Sequence, residues 1–307
     1  MAPYLRLLGA QLAIGAAAIF ARFALTGTGP LGASALRLII ATVPIALFSL
    51  VTRSGQRLAR RSEMLLACAG LALAVHFGAW LASLRFTSVA VSTLLVCTSP
   101  LWTGLYDWLV LRRPIDARFG AALALAGAGL ALVVTRHDVP APIPGHALAG
   151  DVLALAGGAA IAIYLLIVRA VRESPEDGPV AIRSIVLRTY AWAALALGAA
   201  ALLAGDRAPA LDDRVAWFGI LAMALVSQLV GHTALNAALR EFSPSTVAMS
   251  TLLEPVAAAL LAAAIFHESA SPLMALGGLL ILCAIGFAAT GEALLTPRQA
   301  VPTKAAR

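Results

Sequence analysis

One carboxyl group, that of Glu254, lies inside a long apolar stretch of the sequence, directly before Pro255. An ionisable group in an apolar environment costs at least a few kcal/mol, so it is kept where it has a function or a bonded partner. A carboxyl in this position can bind and release a proton during a functional cycle. It can also stay protonated and bonded permanently to a neighbouring helix, and both interpretations remain open.

A second polar set consists of Gln228, His232 and Asn236, which recur at positions i, i+4 and i+8. In an α-helix this spacing places three side chains on one face. Amide and imidazole groups are expensive against lipid, so the predicted face points to the interior of a helical bundle. There it can bind a polar ligand or hold helices together through hydrogen bonds.

Aromatic residues form a third set, in which His76 and Trp80 are again four residues apart and Tyr164 lies in a separate apolar run. Such side chains can form the wall of a solute pocket, but Trp and Tyr are also frequent at membrane interfaces. His76 titrates nearest neutrality among these groups, which makes it the second candidate for proton handling.

Three polar residues lie in the first two apolar runs. Gln11 and Arg22 lie on one face of the first predicted helix, and Arg37 lies in the second. Both arginines are near the outer ends of their helices, where long side chains can extend to the interface. An arginine that instead faces a cavity could bind the carboxylate of a solute.

The amino-acid composition indicates a membrane protein. Of 307 residues, 61% are hydrophobic and 12% are charged, against about 45–50% and about 25% in soluble domains. Ten apolar runs are long enough, at about 20 residues each, to span a bilayer as helices. They lie near 5–25, 34–51, 64–84, 88–111, 117–135, 150–170, 184–204, 215–237, 244–266 and 271–291.

Basic residues predict the orientation of these helices. With the N-terminus inside, fifteen Lys and Arg residues fall in the inner segments and six on the outer side. The positive-inside rule therefore predicts that both termini are cytoplasmic, in a multi-pass protein of the plasma membrane. The net charge of +7 is explained by loops beside anionic lipid, and no nucleic-acid partner is expected.

An internal repeat divides the chain. A shift of 155 residues superposes Arg85 on Arg240 and Ser99-Pro100 on Glu254-Pro255 without a gap, so Ser99 is predicted to lie at the same depth as Glu254. Five spans per half give the halves opposite orientations, as in many secondary transporters. The predicted units are a first repeat over 1–135, a linker over 136–149, a second repeat over 150–292 and a cytoplasmic tail over 293–307.

Short motifs in both halves resemble a known family. The order Ser243-Pro244-Ser245, Leu253-Glu254-Pro255, Phe266-His267-Glu268 and Gly277-Gly278 is similar to the closing signature of EamA-type transporters in the drug/metabolite transporter superfamily. Ala35-Leu36-Arg37-Leu38 and Thr87-Ser88 to Ser99-Pro100 resemble the second and fourth helices of that family. Arg112-Arg113-Pro114 departs from it, because a Gly-Glu pair is usual there. The resemblance implies an all-α protein of ten transmembrane helices in two inverted five-helix repeats.

Enzyme signatures are absent from the sequence. It has no Gly-x-x-x-x-Gly-Lys loop and no Gly-x-Ser-x-Gly elbow, and His267-Glu268 lacks the second His of a zincin helix. We therefore predict no catalytic activity, no metal and no cofactor. Without a nucleotide loop, transport must be driven by an ion or solute gradient.

These observations together predict a secondary transporter that exports amino acids or related small metabolites by alternating access and is coupled to protons. The expected partners are a small-molecule solute and the lipid bilayer. The sequence leaves open whether the chain forms a homodimer. The candidate binding or coupling residues are Glu254, Gln228, His232, His76, Trp80, Tyr164, Ser99, Gln11 and Arg37. Two other classes remain: a lipid scramblase-like or structural membrane protein, and an intramembrane enzyme.

The predicted topology can be tested with reporter fusions. A reporter after Lys304 should report the cytoplasm and one inserted at Pro142 the outside, because an odd number of spans separates the two positions. Activity of both reporters on one side of the membrane would contradict the inverted repeat.

Overall fold

The computed structural model describes residues 2–52, 55–112, 114, 117–134, 143, 145–231, 234, 250, 251, 253–269 and 271–295. Every regular element in this part of the chain is a helix, as expected where the backbone must satisfy its own hydrogen bonds. The helices are α1 Ala2–Gly15, α2 Ala17–Ala24, α3 Pro30–Val51, α4 Arg60–Ser83, α5 Val89–Val96, α6 Ser99–Leu109, α7 Ala117–Val134, α8 Ala147–Arg172, α9 Ile182–Ala204, α10 Arg214–Ala222, a π-helix Met223–Gly231, α11 Leu253–Phe266 and α12 Pro272–Leu295.

Seven helical segments among the described residues are long and apolar enough to cross a membrane. Three of them combine two consecutive helices: α1 with α2, α5 with α6, and α10 with the π-helix. Three shorter apolar helices accompany them, within α7, α11 and α12. The seven segments span Leu5–Ala24, Pro30–Val51, Arg60–Ser83, Val89–Leu109, Ala147–Arg172, Ile182–Ala204 and Arg214–Gly231.

The segment predicted as one helix over 88–111 is interrupted. α5 ends at Val96 and α6 begins at Ser99, with Pro100 in its first turn. Proline lacks an N–H group and is tolerated there. In the second half, the described helix α11 begins at Leu253, so Glu254 lies in its first turn, and residues 244–249 of the predicted span lie outside the described residues. Ser99-Pro100 and Glu254-Pro255 therefore both lie at helix starts.

A second departure concerns the helix that carries Gln228. Residues Met223–Gly231 form a π-helix, so the α-helical spacing used to predict a polar stripe from Gln228 onward does not apply to this segment. His232 and Asn236 lie outside the described residues. π-Helical turns are uncommon and often occur at functional sites.

The helices pack in a bundle around one main apolar core. α4 packs against α8 and α9, and α3 packs against α9. α7 packs against α12, and α1 and α2 pack against α10, the π-helix and α11. The core includes Leu38, Phe77, Leu81, Ile220 and Met223, all at most 4% exposed.

The two ends of the bundle differ in their contacts. The end that contains both Glu268 and Asp206 is called the Glu268 end. There the Asp206 carboxylate accepts hydrogen bonds from the N–H groups of Leu31 and Gly32, both at 3.0 Å. Asp206 thus binds the N-terminus of α3, where unpaired N–H groups favour an anion. Burial raises the pKa of Glu268, whereas the nearby Arg22 guanidinium opposes that shift.

The opposite end, the Asp177 end, is held by loop contacts between the two halves. Gln56 donates to the Pro179 carbonyl at 3.2 Å and accepts from the Ala181 N–H at 3.2 Å. The Asp177 carboxylate accepts from the Ala59 N–H at 2.5 Å. Hydrogen bonds from Ser62 and from that N–H lower the pKa of Asp177.

Candidate functional site

A cavity of about 380 Å³ lies in the bundle, and it is lined by residues of α1, α2, α3, α4, α5, α6, α8, α9, the π-helix and α11. Seven of the nine residues predicted from the sequence line it. They are Glu254, Gln228, His76, Trp80, Tyr164, Ser99 and Arg37. Because these residues come from six different helices, the fold brings together groups that the sequence could only suggest separately.

Arg37 is the most deeply buried cation of this cavity, with 1% of its surface exposed. Its Nε and Nη2 donate to Oε1 of Gln228 at 3.1 and 2.5 Å. The guanidinium lies over the Phe77 ring, 4.2 Å from its centroid, and 5.7 Å from that of Trp80. The idea that Arg37 extends to the membrane interface is therefore wrong, since its partners are all inside the bundle.

One donor of that guanidinium is left over. Nη1 of Arg37 is buried and has no hydrogen-bond partner among the described residues. A buried donor without a partner costs about 1–3 kcal/mol, and more when it is charged. The cavity therefore offers a charge-bearing N–H that a bound acceptor can satisfy.

Gln228 links Arg37 to a tyrosine that sequence analysis missed. Its Nε2 donates to the hydroxyl of Tyr190, which also lines the cavity. The amide is thus fixed in one orientation, with its oxygen toward the cation and its nitrogen toward the phenol. Tyr190 has no polar neighbour at helical spacing in the sequence, so no pattern pointed to it.

Glu254 faces the cavity beside the break between α5 and α6. The Cys97 thiol lies 3.8 Å from Oε2 of Glu254. Gly15 of α1 packs directly on this turn, because a Cβ atom there would come within 3.1 Å of the Glu254 carbonyl oxygen. A small residue at position 15 therefore lets α1 approach the turn that carries the carboxyl.

The His76 ring is held at one nitrogen. Nδ1 lies 2.9 Å from the carbonyl oxygen of Gly157, which can only accept, so Nδ1 carries a hydrogen. The ring is stacked with Trp80, with centroids 6.4 Å apart and planes at 11°. The predicted pair thus forms one wall of the cavity.

Two predicted site residues do not join this group. Gln11 is buried but does not line the cavity, and its Nε2 donates to Ser250 Oγ at 2.8 Å. His232 lies outside the described residues. The cavity lining continues toward the Asp177 end through Val168 and Arg172 in α8 and Ile182 in α9.

Two Ser→Cys substitutions, which hardly change the size of the side chain, can test whether water reaches this cavity. In a background with Cys68, Cys97 and Cys283 changed to Ser, Ser99→Cys should react with a small polar thiol reagent, because Ser99 lines the cavity. Ser34→Cys should stay unreactive, since Ser34 is fully buried and bonded to the Pro30 and Phe77 carbonyls. A Ser99→Cys variant as unreactive as Ser34→Cys would show that water does not reach the cavity.

Comparisons with known proteins agree with the geometry. A model of the EamA-like transporter family matches residues 1–135 and 148–290. One solved crystal structure superposes with a TM-score of 0.62 at 16% sequence identity, over 96% of this chain and 99% of that one. At that identity the likeness shows the fold alone. No match was found among curated proteins.

The family match covers nearly the whole chain in two segments, and the described part of the chain has seven helical segments able to cross a membrane. The match agrees with the helical bundle that the described residues form. The chain is a multi-pass membrane protein and belongs to the EamA-like transporter family, whose members transport small solutes across membranes.

Proposed function

We propose that this chain is a secondary active transporter of the plasma membrane that exports amino acids or related small metabolites by alternating access, with protons as the coupling ion. The observation that carries the proposal is the cavity in which a buried cation, Arg37, and a carboxyl, Glu254, both line the wall. Groups of opposite charge at one site suit a small solute that itself carries both an anionic and a cationic group.

Arg37 supports the anionic part of that solute. Its Nη1 is unpartnered among the described residues, while its other donors are held by Gln228. A solute carboxylate would satisfy this donor through a charge-assisted hydrogen bond, which is stronger than a neutral one. Phe77 and Trp80, which lie against the same guanidinium, offer apolar surface to the rest of the solute.

Glu254 supports proton coupling. It is the acidic residue among those that line the cavity, and it lies in the first turn of α11 beside the break of the fourth span. A carboxyl that meets each side of the membrane in turn can take up a proton on one side and release it on the other. Energy from a gradient is required, because the sequence contains no nucleotide-binding loop.

Ten spans in two inverted repeats, over 1–135 and 150–292, form the architecture of this proposal. The packing of the described helices supports it. α3 packs against α9 and α7 against α12, and in both pairs the partners are equivalent helices of the two halves. In the same comparison of the two halves, α4 corresponds to α10, and α8 corresponds to the first span, which contains α2. The contact of α4 with α8 therefore has a counterpart in the contact of α10 with α2. With both termini inside, the Asp177 end is cytoplasmic.

The transport function can be tested in proteoliposomes. Labelled amino acids and related metabolites are offered with and without an imposed pH gradient, each acid beside the amide in which its carboxylate is replaced by a neutral carboxamide. We expect accumulation of at least one acid and little of its amide, because only the acid offers a carboxylate to Arg37. Protein-free liposomes control for leak, and no accumulation of any solute class would contradict transport.

The Glu254→Gln variant tests the coupling role. The amide keeps the shape of the neutral acid and its hydrogen-bonding capacity but cannot titrate. We therefore expect normal assembly and solute exchange, with loss of accumulation driven by a pH gradient. Undiminished pH-driven accumulation in this variant would assign the proton to another group, with His76 as the next candidate.

A further inference from the structure

An ion pair lies at the Glu268 end of the bundle, and neither of its two residues lines the cavity. Arg22, in the last turn of α2, donates through Nη2 to Oε1 of Glu268 at 3.1 Å and to the Thr87 carbonyl at 3.0 Å. Oε2 of Glu268 accepts from the N–H of Val89, the first residue of α5, at 2.9 Å. One arginine and one glutamate thus join α2, the start of α5 and the end of α11.

This ion pair is shielded from water. The Arg22 and Glu268 side chains are 14% and 7% exposed. Phe266 lies beneath the guanidinium, with its ring centroid 5.9 Å from Cζ, and packs edge-on against Phe23 at 5.6 Å. Loss of one partner from such a pair leaves a partly buried charge without compensation, so removal of either residue should disrupt the whole contact.

Each of the three joined elements forms part of the wall of the solute cavity. α2 supplies Ala17 and Ala18 to the lining, α5 supplies Thr93 and Val96, and α11 supplies Glu254. Each element therefore carries cavity residues at one of its ends and meets the ion pair at the other. Separation of Arg22 from Glu268 would free these three walls to move apart at this end.

The opposite end differs. There the lining continues to Arg172, the last residue of α8, and to Ile182, the first residue of α9. The cavity thus reaches the Asp177 end, while its lining ends short of Arg22, Phe266 and Glu268. This asymmetry is what alternating access requires of one of its two states.

We propose that the Arg22–Glu268 ion pair, with the backbone of Thr87 and Val89 that it holds, is the gate that closes the solute cavity at the Glu268 end. This proposal rests on the proposed transport function, because a gate is needed only if a solute passes. The contacts from which it is argued do not depend on which solute is transported. In this assignment Arg22 and Glu268 are positioning residues, because they hold helices and do not touch the solute.

Side-resolved labelling tests the gate. The reporter is Ser99→Cys in the background without native cysteines, in membrane vesicles of both orientations, with a thiol reagent that cannot cross the membrane. In the parent, reagent at the face of the Asp177 end should react quickly and reagent at the face of the Glu268 end slowly. Glu268→Gln keeps an acceptor for the Val89 N–H but loses the charge, and should raise the slow rate by about tenfold or more.

Two further variants separate gating from misfolding. The exchange Arg22→Glu with Glu268→Arg restores opposite charges but not the hydrogen bonds to the Thr87 carbonyl and the Val89 N–H. It should therefore return the slow rate part of the way toward that of the parent. Glu173→Gln removes an ion pair with Arg169 that is exposed at the other end, and should change neither rate. A variant whose labelling from the Asp177 end matches the parent has kept its cavity.

Two outcomes would overturn the gate: a slow rate that Glu268→Gln and Arg22→Gln leave unchanged, or a charge exchange that labels as fast as the single variants. The labelling needs neither solute nor gradient. A chain that transports nothing but shows charge-dependent labelling would refute the proposed function alone. Normal transport with labelling that ignores the ion pair would refute the gate alone.

Discussion

The burial of Arg37 is the constraint on which the rest of the site depends. A guanidinium cannot lose its proton in a protein, so it must find acceptors and polarisable surface wherever it is placed. Here it finds Gln228 Oε1 and the faces of Phe77 and Trp80. These contacts satisfy two donor groups and leave Nη1 for something that enters the cavity. An acceptor group on a solute could therefore satisfy this donor.

Irregular backbone positions three of the polar residues that line the cavity with Arg37. Gln228 lies in a π-helix, Ser99 begins α6 after the break that follows Val96, and Glu254 lies in the first turn of α11. Within a membrane, irregular backbone is tolerated where it is buried in protein or lines a cavity. At three positions, departures from regular α-helix thus coincide with polar cavity residues, whereas long regular helices such as α3 and α9 supply the frame.

The sequence predicted the helical bundle and most of the site, because a polar residue in an apolar run is a strong signal. Glu254, Gln228 and His76 were found in this way, and all three line the cavity. Arg22 and Arg37 show the limit. Both are arginines in apolar helices, yet Arg37 turns inward because Gln228, 191 positions away, accepts its hydrogen bonds. Arg22 instead pairs with Glu268, 246 positions away. Such partners depend on tertiary packing, which helical periodicity does not contain.

Repeat symmetry does not extend to the residue types at the two ends of the bundle. The position 155 residues before Glu268, its equivalent in the first half, is Arg113, and the position 155 residues after Arg22 is Asp177. The two halves therefore carry different residues where the first half has Arg22 and the second has Glu268. The Asp177 end carries the Gln56 and Asp177 contacts with backbone groups of the opposite half. The Asp177 end also carries an ion pair, between Arg188 and Glu63 at 2.9 Å, but the cavity lining reaches that end at Arg172 and Ile182. The state in which Arg22 and Glu268 are in contact is thus the one in which the cavity reaches the Asp177 end. For an exporter with that end in the cytoplasm, this is the state that must wait for its solute.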